Sequence, residues 1–136
     1  MDNEKDLKEL IAEEGDEKVF FAEGLDCLIL RVKDLGHLCG YVRIPATHPL
    51  FKNSLECEGI LEVHGGITWT RELKGREGWW VGFDCAHWDD YSPYVSLFAR
   101  QFRPSQYRTM EYVEKELRKL AKQIVEYKEV KNDQEN

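Results

Sequence analysis

Imidazole and carboxylate side chains recur at short motifs in the middle of this chain. His64 opens the motif HGGITW, and Asp84 and His87 lie within the stretch GWWVGFDCAHWDD (78–90). Zinc and manganese accept both groups as ligands, and three protein ligands leave a coordination position for water. One hypothesis is therefore a divalent metal site of His64, Asp84 and His87, with His48 as a further candidate ligand, that activates water in a hydrolase. The spacing matches no signature as specific as H-E-x-x-H.

Cysteine chemistry is a second hypothesis, with Cys39 or Cys85 as a nucleophile beside a histidine base. The chain contains no C-x-x-C pair, which argues against a zinc knuckle. Since no export signal is recognisable, the four cysteines are expected to be reduced and most of them to be small core residues: Cys27, Cys39, Cys57 and Cys85. A purely structural alternative also stands. In it Cys85 is packed, Asp84 caps the following turn through its side chain, and His87 is a surface or structural residue.

A binding site for a small polar or nucleotide-like ligand is the third hypothesis. An indole stacks well on a purine or nicotinamide ring, contributing ~1–3 kcal/mol per base, and arginine binds phosphate in a bidentate manner. The candidate ligand-binding residues are Tyr41, Arg43, His48, His64, Trp80, Asp84, His87 and Trp88. The alternative for Tyr41 and Arg43 is the half-solvated outer face of a sheet.

Hydrophobic periodicity predicts the elements that position these side chains. A short amphipathic helix is expected over residues 2–14, and alternation with period two predicts strands at 27–32, 37–44, 60–64, 67–73 and 79–84. In the last strand Trp79, Val81 and Phe83 share the face expected to serve the core, and Trp69 is assigned to the core as well.

The order of these strands predicts where the reactive residues meet. If the fourth strand lies between the third and the fifth, the third and fifth run parallel, and their ends lie two strand spacings of about 4.8 Å apart. His64 would then share one sheet edge with residues 84–87.

Residues 88–108 read as an aromatic, irregular connection to a long amphipathic helix. Thr109 is the expected N-cap, and the apolar stripe is Met110, Val113, Leu117, Leu120, Ala121, Ile124 and Val125. We expect a single α+β domain over residues 1–128, in which an antiparallel sheet of about five strands carries this helix on one face. Residues 129–136 are expected to form a disordered tail.

Composition and charge exclude several classes of function. The 136 residues carry a formal charge of −7, which argues against general nucleic-acid binding. No apolar run approaches the ~20 residues of a membrane span, and the acidic N-terminus lacks the pattern of a signal peptide. We therefore expect a cytoplasmic protein without a membrane partner.

Four segments carry a resemblance to a known family: LCGYVRIPATHPLF (38–51), VHGGITW (63–69), GWWVGFDCAHWDD (78–90) and YRTMEYVEKELRKLAKQI (107–124). Together they resemble a family of short uncharacterised proteins encoded by bacteriophages, prophages and bacteria, over about residues 37–125. The shared order is H-P-L, then H-G-G-[IL]-T, then W-W-x-G-F-D-C-A-H. Relatives often show a small residue and then an acid after the A-H pair, where this chain has Trp88-Asp89-Asp90.

This resemblance implies a context and no assigned activity. Small acidic phage proteins are often counter-defence factors, which either sequester a nucleotide signal or bind a host effector. The leading expectation is thus a phage-type binding protein for a nucleotide-like small molecule, without catalysis and without an obligatory cofactor. Its alternatives are the metal-dependent hydrolase and a protein that inhibits a host defence enzyme. A homodimer through the C-terminal helix and a monomer that buries the same stripe both remain open.

Overall fold

Five strands and three helices make up the part of the chain that the computed structural model describes, residues 3–95 and 105–128. In chain order they are α1 (Asn3–Glu14), β1 (Glu17–Ala22), β2 (Leu25–Arg31), β3 (Leu38–Ile44), α2 (Ser54–Ile60), β4 (Trp69–Leu73), β5 (Arg76–Asp84) and α3 (Met110–Glu126).

The strands form one antiparallel sheet in the order β1-β2-β3-β5-β4. Helix α3 lies across β1, β2 and β3 on one face of the sheet, and α2 contacts β4. The predicted α+β class, with about five antiparallel strands, a short N-terminal helix and a long C-terminal helix, is confirmed.

Alternation along the strands divides the sheet into a core face and an outer face. Trp79, Val81 and Phe83 belong to the main core, as their spacing predicted. Gly40 permits the close contact of sheet and helix, because a Cβ there would come 2.9 Å from Phe83 and 3.1 Å from Leu117. The helix stripe completes this core.

One strand prediction is wrong, and one strand was not predicted. Residues 60–64 do not form a strand: α2 ends at Ile60, and an irregular segment follows. The Asn53 side chain, which accepts a hydrogen bond from the Glu56 amide, begins α2 in a region expected to be a loop. The sheet still has five strands because β1, which the prediction missed, pairs with β2 through a tight turn at Glu23-Gly24, both at positive φ.

Helix α3 begins as predicted, with the Thr109 hydroxyl accepting from the Tyr112 amide at 3.0 Å. The predicted stripe is buried up to Ile124, but Val125 is exposed. Glu116 is buried in the same helix, and its carboxylate has a specific partner in the candidate site described below. The stripe is therefore one residue shorter than the apolar pattern indicates.

A buried ion pair joins the N-terminal helix to the rest of the fold. Arg31 donates to Glu14 at 3.2 Å, to the Gly15 carbonyl at 2.8 Å and to the Tyr107 hydroxyl at 2.8 Å. The other Glu14 oxygen accepts from the Met110 amide at 2.9 Å, at the start of α3. A carboxylate suits this place because helix N-terminal amides lack partners within the helix.

The expected tail 129–136 lies outside the described residues, as does part of the aromatic connection, 96–104. Among the helices of the described ranges, none has the length and apolar character needed to cross a membrane.

Candidate functional site

A histidine and an aspartate from separate loops meet beside helix α3. His64 Nε2 lies 2.9 Å from Oδ1 and 2.9 Å from Oδ2 of Asp90. The Asp90 side chain is completely buried, and that of His64 is nearly so. Because an ionised carboxylate only accepts hydrogen bonds, Nε2 of His64 carries the hydrogen in this arrangement.

Asp90 is the centre of the cluster. Besides His64, it accepts from Arg108 Nε at 2.7 Å, from the His87 amide at 2.9 Å and from His87 Nδ1 at 3.2 Å. Burial alone would raise the pKa of this carboxyl, but the hydrogen bonds from His64, Arg108 and the His87 amide outweigh it and lower the pKa to about 2. Asp90 is therefore ionised throughout the neutral range.

His87 completes the cluster from the surface side. Its side chain is 33% exposed, and Nδ1 also lies 3.8 Å from Asp84 Oδ1. Within the described residues, His64, His87 and Asp90 each offer a ligand atom, and these atoms all lie within 4.8 Å of one another. Such a compact set of two imidazoles and one carboxylate can hold a divalent cation.

Helix α3 positions His64 through the segment that precedes the Gly-Gly turn. Tyr112 Oη lies 2.8 Å from His64 Nδ1, and Glu116 accepts the His64 amide at 2.8 Å. Further along the helix, the Gln123 side chain donates to the Glu62 carbonyl and accepts from its amide, each at 2.7 Å. Side chains of α3 thus satisfy the backbone of a segment that has no strand partner.

The turn that carries Asp90 is held by backbone bonds on both sides. The Asp90 amide donates to the His87 carbonyl at 2.9 Å, and the Gln106 amide donates to the Asp89 carbonyl at 2.9 Å. Asp90 forms an isolated parallel bridge with Gln106. Arg108, two residues further along, therefore reaches Asp90 as it leads into α3.

Asp84 occupies a place beside the cluster and not within it. One Asp84 oxygen accepts from the Ala86 amide at 3.1 Å and the other from the Thr68 hydroxyl at 3.1 Å. This is the turn-capping role that the structural alternative assigned to it. Of the predicted metal ligands, the structure brings His64 and His87 together, with Asp90 in the place expected of Asp84.

His48 lies at the opposite end of α3. Its Nε2 is 2.7 Å from the Ile124 carbonyl, and its Nδ1 accepts from the Leu50 amide at 3.0 Å. Since both ring nitrogens are engaged with backbone groups, His48 closes the C-terminal end of the helix. The H-P-L motif is accounted for by this contact.

Three further ligand-binding candidates lie together on the outer face of the sheet. Tyr41 covers Gly82, where a Cβ would come 2.5 Å from its ring, and Arg43 lies over Gly78 and 3.5 Å from Asp26. Trp80 is only 6% exposed. It belongs to a small outer cluster that also contains Trp69, which the sequence assigned to the core. The side chains of this face pack on one another, which leaves the Trp80 ring no free surface for stacking.

Trp88 differs from the other aromatic candidates in being accessible: it is 63% exposed and follows His87 directly in the chain.

The four cysteines are all buried and free. Burial raises the pKa of Cys39 to about 11 and raises that of Cys85 further. The structure therefore argues against the hypothesis of a cysteine nucleophile.

Sequence reasoning missed Asp90, Arg108 and Tyr112 as members of the site. Asp90 stood at the end of the stretch singled out in the sequence, but the predicted strand geometry favoured Asp84. A weak signal was present on α3, where Tyr112 and Glu116 are spaced i, i+4 along one side.

Comparison of the chain with protein-family models, with curated proteins and with solved structures gives no match.

Proposed function

We propose that the chain is a small metal-dependent hydrolase whose divalent cation is held by His64, His87 and Asp90. The observation that supports this proposal is the convergence of their ligand atoms within 4.8 Å of one another. Donor atoms about 2.0–2.1 Å from a tetrahedral zinc ion lie roughly 3.3 Å apart. The carboxylate of Asp90 lies 2.9 Å from His64 Nε2 and 3.2 Å from His87 Nδ1, which is close to that spacing.

The groups around the three residues support the same assignment. Metal binding would require the other tautomer of His64, in which Nε2 gives up its hydrogen and becomes the ligand atom. The Tyr112 hydroxyl can then accept a hydrogen bond from Nδ1. Arg108 and the His87 amide hold Asp90 in one orientation. Metal-binding histidines and carboxylates typically have such outer hydrogen-bond partners.

A divalent ion held by these three residues with one open position would supply a hydroxide at neutral pH, because zinc lowers the pKa of bound water to about 7 in the best-known zinc enzymes. His87 is the more exposed of the two imidazoles and faces the solvent, from which a substrate would approach. The neighbouring Trp88 offers an exposed indole for a flat polar substrate.

The test is zinc and manganese titration of metal-stripped protein, followed by native mass spectrometry. We expect one ion per chain in the wild type and at least a 10–100-fold loss of affinity in His64→Ala, His87→Ala and Asp90→Asn, the size typical even for outer partners. His48→Ala is the matched control, since it removes an imidazole that closes helix α3.

Asp84→Asn separates the two ligand sets. It should leave the affinity nearly unchanged if Asp90 is the ligand, and it should abolish binding if the sequence-based set of His64, Asp84 and His87 is right. A folded wild type that takes up neither ion at millimolar concentration contradicts both.

A second candidate function is that of a phage-type protein that sequesters a nucleotide-like signal beside the cluster of His64, His87 and Asp90. The exposure of Trp88, 63%, favours it, since a stacking platform must be accessible. It predicts that a nucleotide raises the melting temperature of the wild type and is recovered intact, and that Trp88→Ala abolishes the shift. Release of a cleaved product supports the hydrolase instead, and a broad panel without any shift rejects sequestration.

A further inference from the structure

The imidazole of His87 fills the space that a side chain at position 65 would need. Gly65 has a φ of +70°, and a Cβ on it would come 2.1 Å from Cε1, 2.5 Å from Nε2 and 2.6 Å from Nδ1 of His87. Non-bonded contacts of a Cβ atom as short as these are essentially never observed in proteins. A residue with a side chain at position 65 therefore cannot coexist with the observed place of the ring.

Of the two partners in this contact, the ring is the one that can move. The Gly65 loop is held to α3 through the His64 amide on Glu116, and its turn is closed by the Gly66 amide donating to the Val63 carbonyl at 2.8 Å. His87 is one-third exposed and has solvent on one side. A Cβ at position 65 would consequently push the imidazole outward, away from Asp90.

We propose that Gly65 is a positioning residue, whose missing side chain leaves room for His87 to turn its Nδ1 toward Asp90. The H-G-G and A-H motifs then form one unit, in which His64 and His87 approach Asp90 from two loops and Gly65 lies against the His87 ring. The rings lie 5.7 Å apart between centroids and at 74° to each other. The effect on metal affinity rests on the proposed function, but the placement of the ring does not.

Gly66 offers a matched control for the cost of the backbone conformation. Its φ is +88°, so alanine is strained there as well, yet nothing lies within 4 Å of a Cβ at that position. Gly65→Ala and Gly66→Ala therefore share the strain and differ in the collision with His87.

The experiment compares these two variants by the ¹⁵N signals of the His87 ring in metal-free protein and by zinc titration. Gly65→Ala is expected to shift the Nδ1 signal toward that of a solvent-exposed imidazole and to weaken zinc binding about tenfold or more. Gly66→Ala should leave both unchanged. Equal changes in the two variants, or no change in the ring signals of Gly65→Ala, overturn the proposal.

A wild type that binds no zinc refutes the metal site alone, since the ring signals then decide the placement of His87. If Gly65→Ala does not fold, the proposal is tested by combining each glycine variant with His87→Ala and comparing the melting temperatures. There Gly65→Ala and Gly66→Ala should melt at the same temperature, because the collision partner has been removed. A Gly65→Ala/His87→Ala protein that still melts well below Gly66→Ala/His87→Ala contradicts the proposal.

Discussion

His64 Nε2 lies 2.9 Å from both carboxylate oxygens of Asp90, a residue 26 positions further along the chain. This contact joins the Gly-Gly loop to the turn after β5. Arg108 contacts the same carboxylate from the segment that leads into α3. The buried carboxylate is therefore both the centre of the candidate metal site and a joint between three parts of the fold.

Replacement of Asp90 by asparagine should destabilise the protein strongly. The change keeps the shape but removes the buried counter-charge of the Arg108 guanidinium, which is itself largely buried and keeps only the exposed carboxylate of Asp89 at 3.4 Å. Breaking a buried pair from one side typically costs about 3–5 kcal/mol. Urea denaturation of Asp90→Asn and of Asp84→Asn, whose carboxylate is partly exposed, measures the difference. Similar losses in the two variants would show that Asp90 has no special role.

Acid should weaken the contribution of Asp90 to the free energy of unfolding in a defined range of pH. Its pKa is lowered from 3.8 to about 2, so the stabilisation is fully present above pH 3.8 and is lost as the pH falls toward 2. The expected loss is about 2 kcal/mol. The free energies of unfolding of wild type and Asp90→Asn should converge across this range, whereas a constant difference would mean that Asp90 titrates normally.

Arg31→Lys should be destabilising although the charge is kept. The Arg31 guanidinium reaches Glu14, Tyr107 and three further oxygens, on Gly15, Asp16 and Gly36, and a single ammonium cannot match that geometry. We expect a loss of about 3 kcal/mol, measured by thermal and chemical denaturation.

Arg71→Lys is the control for the guanidinium-to-ammonium change. Arg71 is exposed, and its Cζ lies 4.2 Å from the centroid of the Trp69 ring. Its replacement by lysine should therefore lower the free energy of unfolding by about 1 kcal/mol or less. If Arg31→Lys is equally mild, the Arg31 network does not hold α1 to the domain.

The native protein should resist thiol reagents. Burial raises the pKa of Cys39 to about 11 and that of Cys27 to about 12, which leaves little reactive thiolate at pH 8. Ellman's reagent should therefore react slowly with folded protein and rapidly with all four cysteines in denaturant. Fast reaction of Cys39 or Cys85 in the folded state would restore the nucleophile hypothesis.

Much of the fold follows from local pattern. Period two placed Trp79, Val81 and Phe83 in the core, and the cap at Thr109 with its apolar stripe placed α3. The pattern failed at residues 60–64, where a short apolar run looked like a strand. There the backbone obtains its hydrogen bonds from Glu116 and Gln123, and period alone cannot reveal such partners.

The sequence by itself determined the α+β class, the core face of β5, the start of α3 and the two histidines of the candidate site. Only the tertiary structure decided that their carboxylate partner is Asp90, that Asp84 caps a turn and that Trp80 is buried. The physical reason is the separation along the chain over which each kind of interaction acts. Periodicity and capping act within a few residues, whereas the partners of His64 lie 26 and 48 positions away and are chosen by how the loops pack on α3.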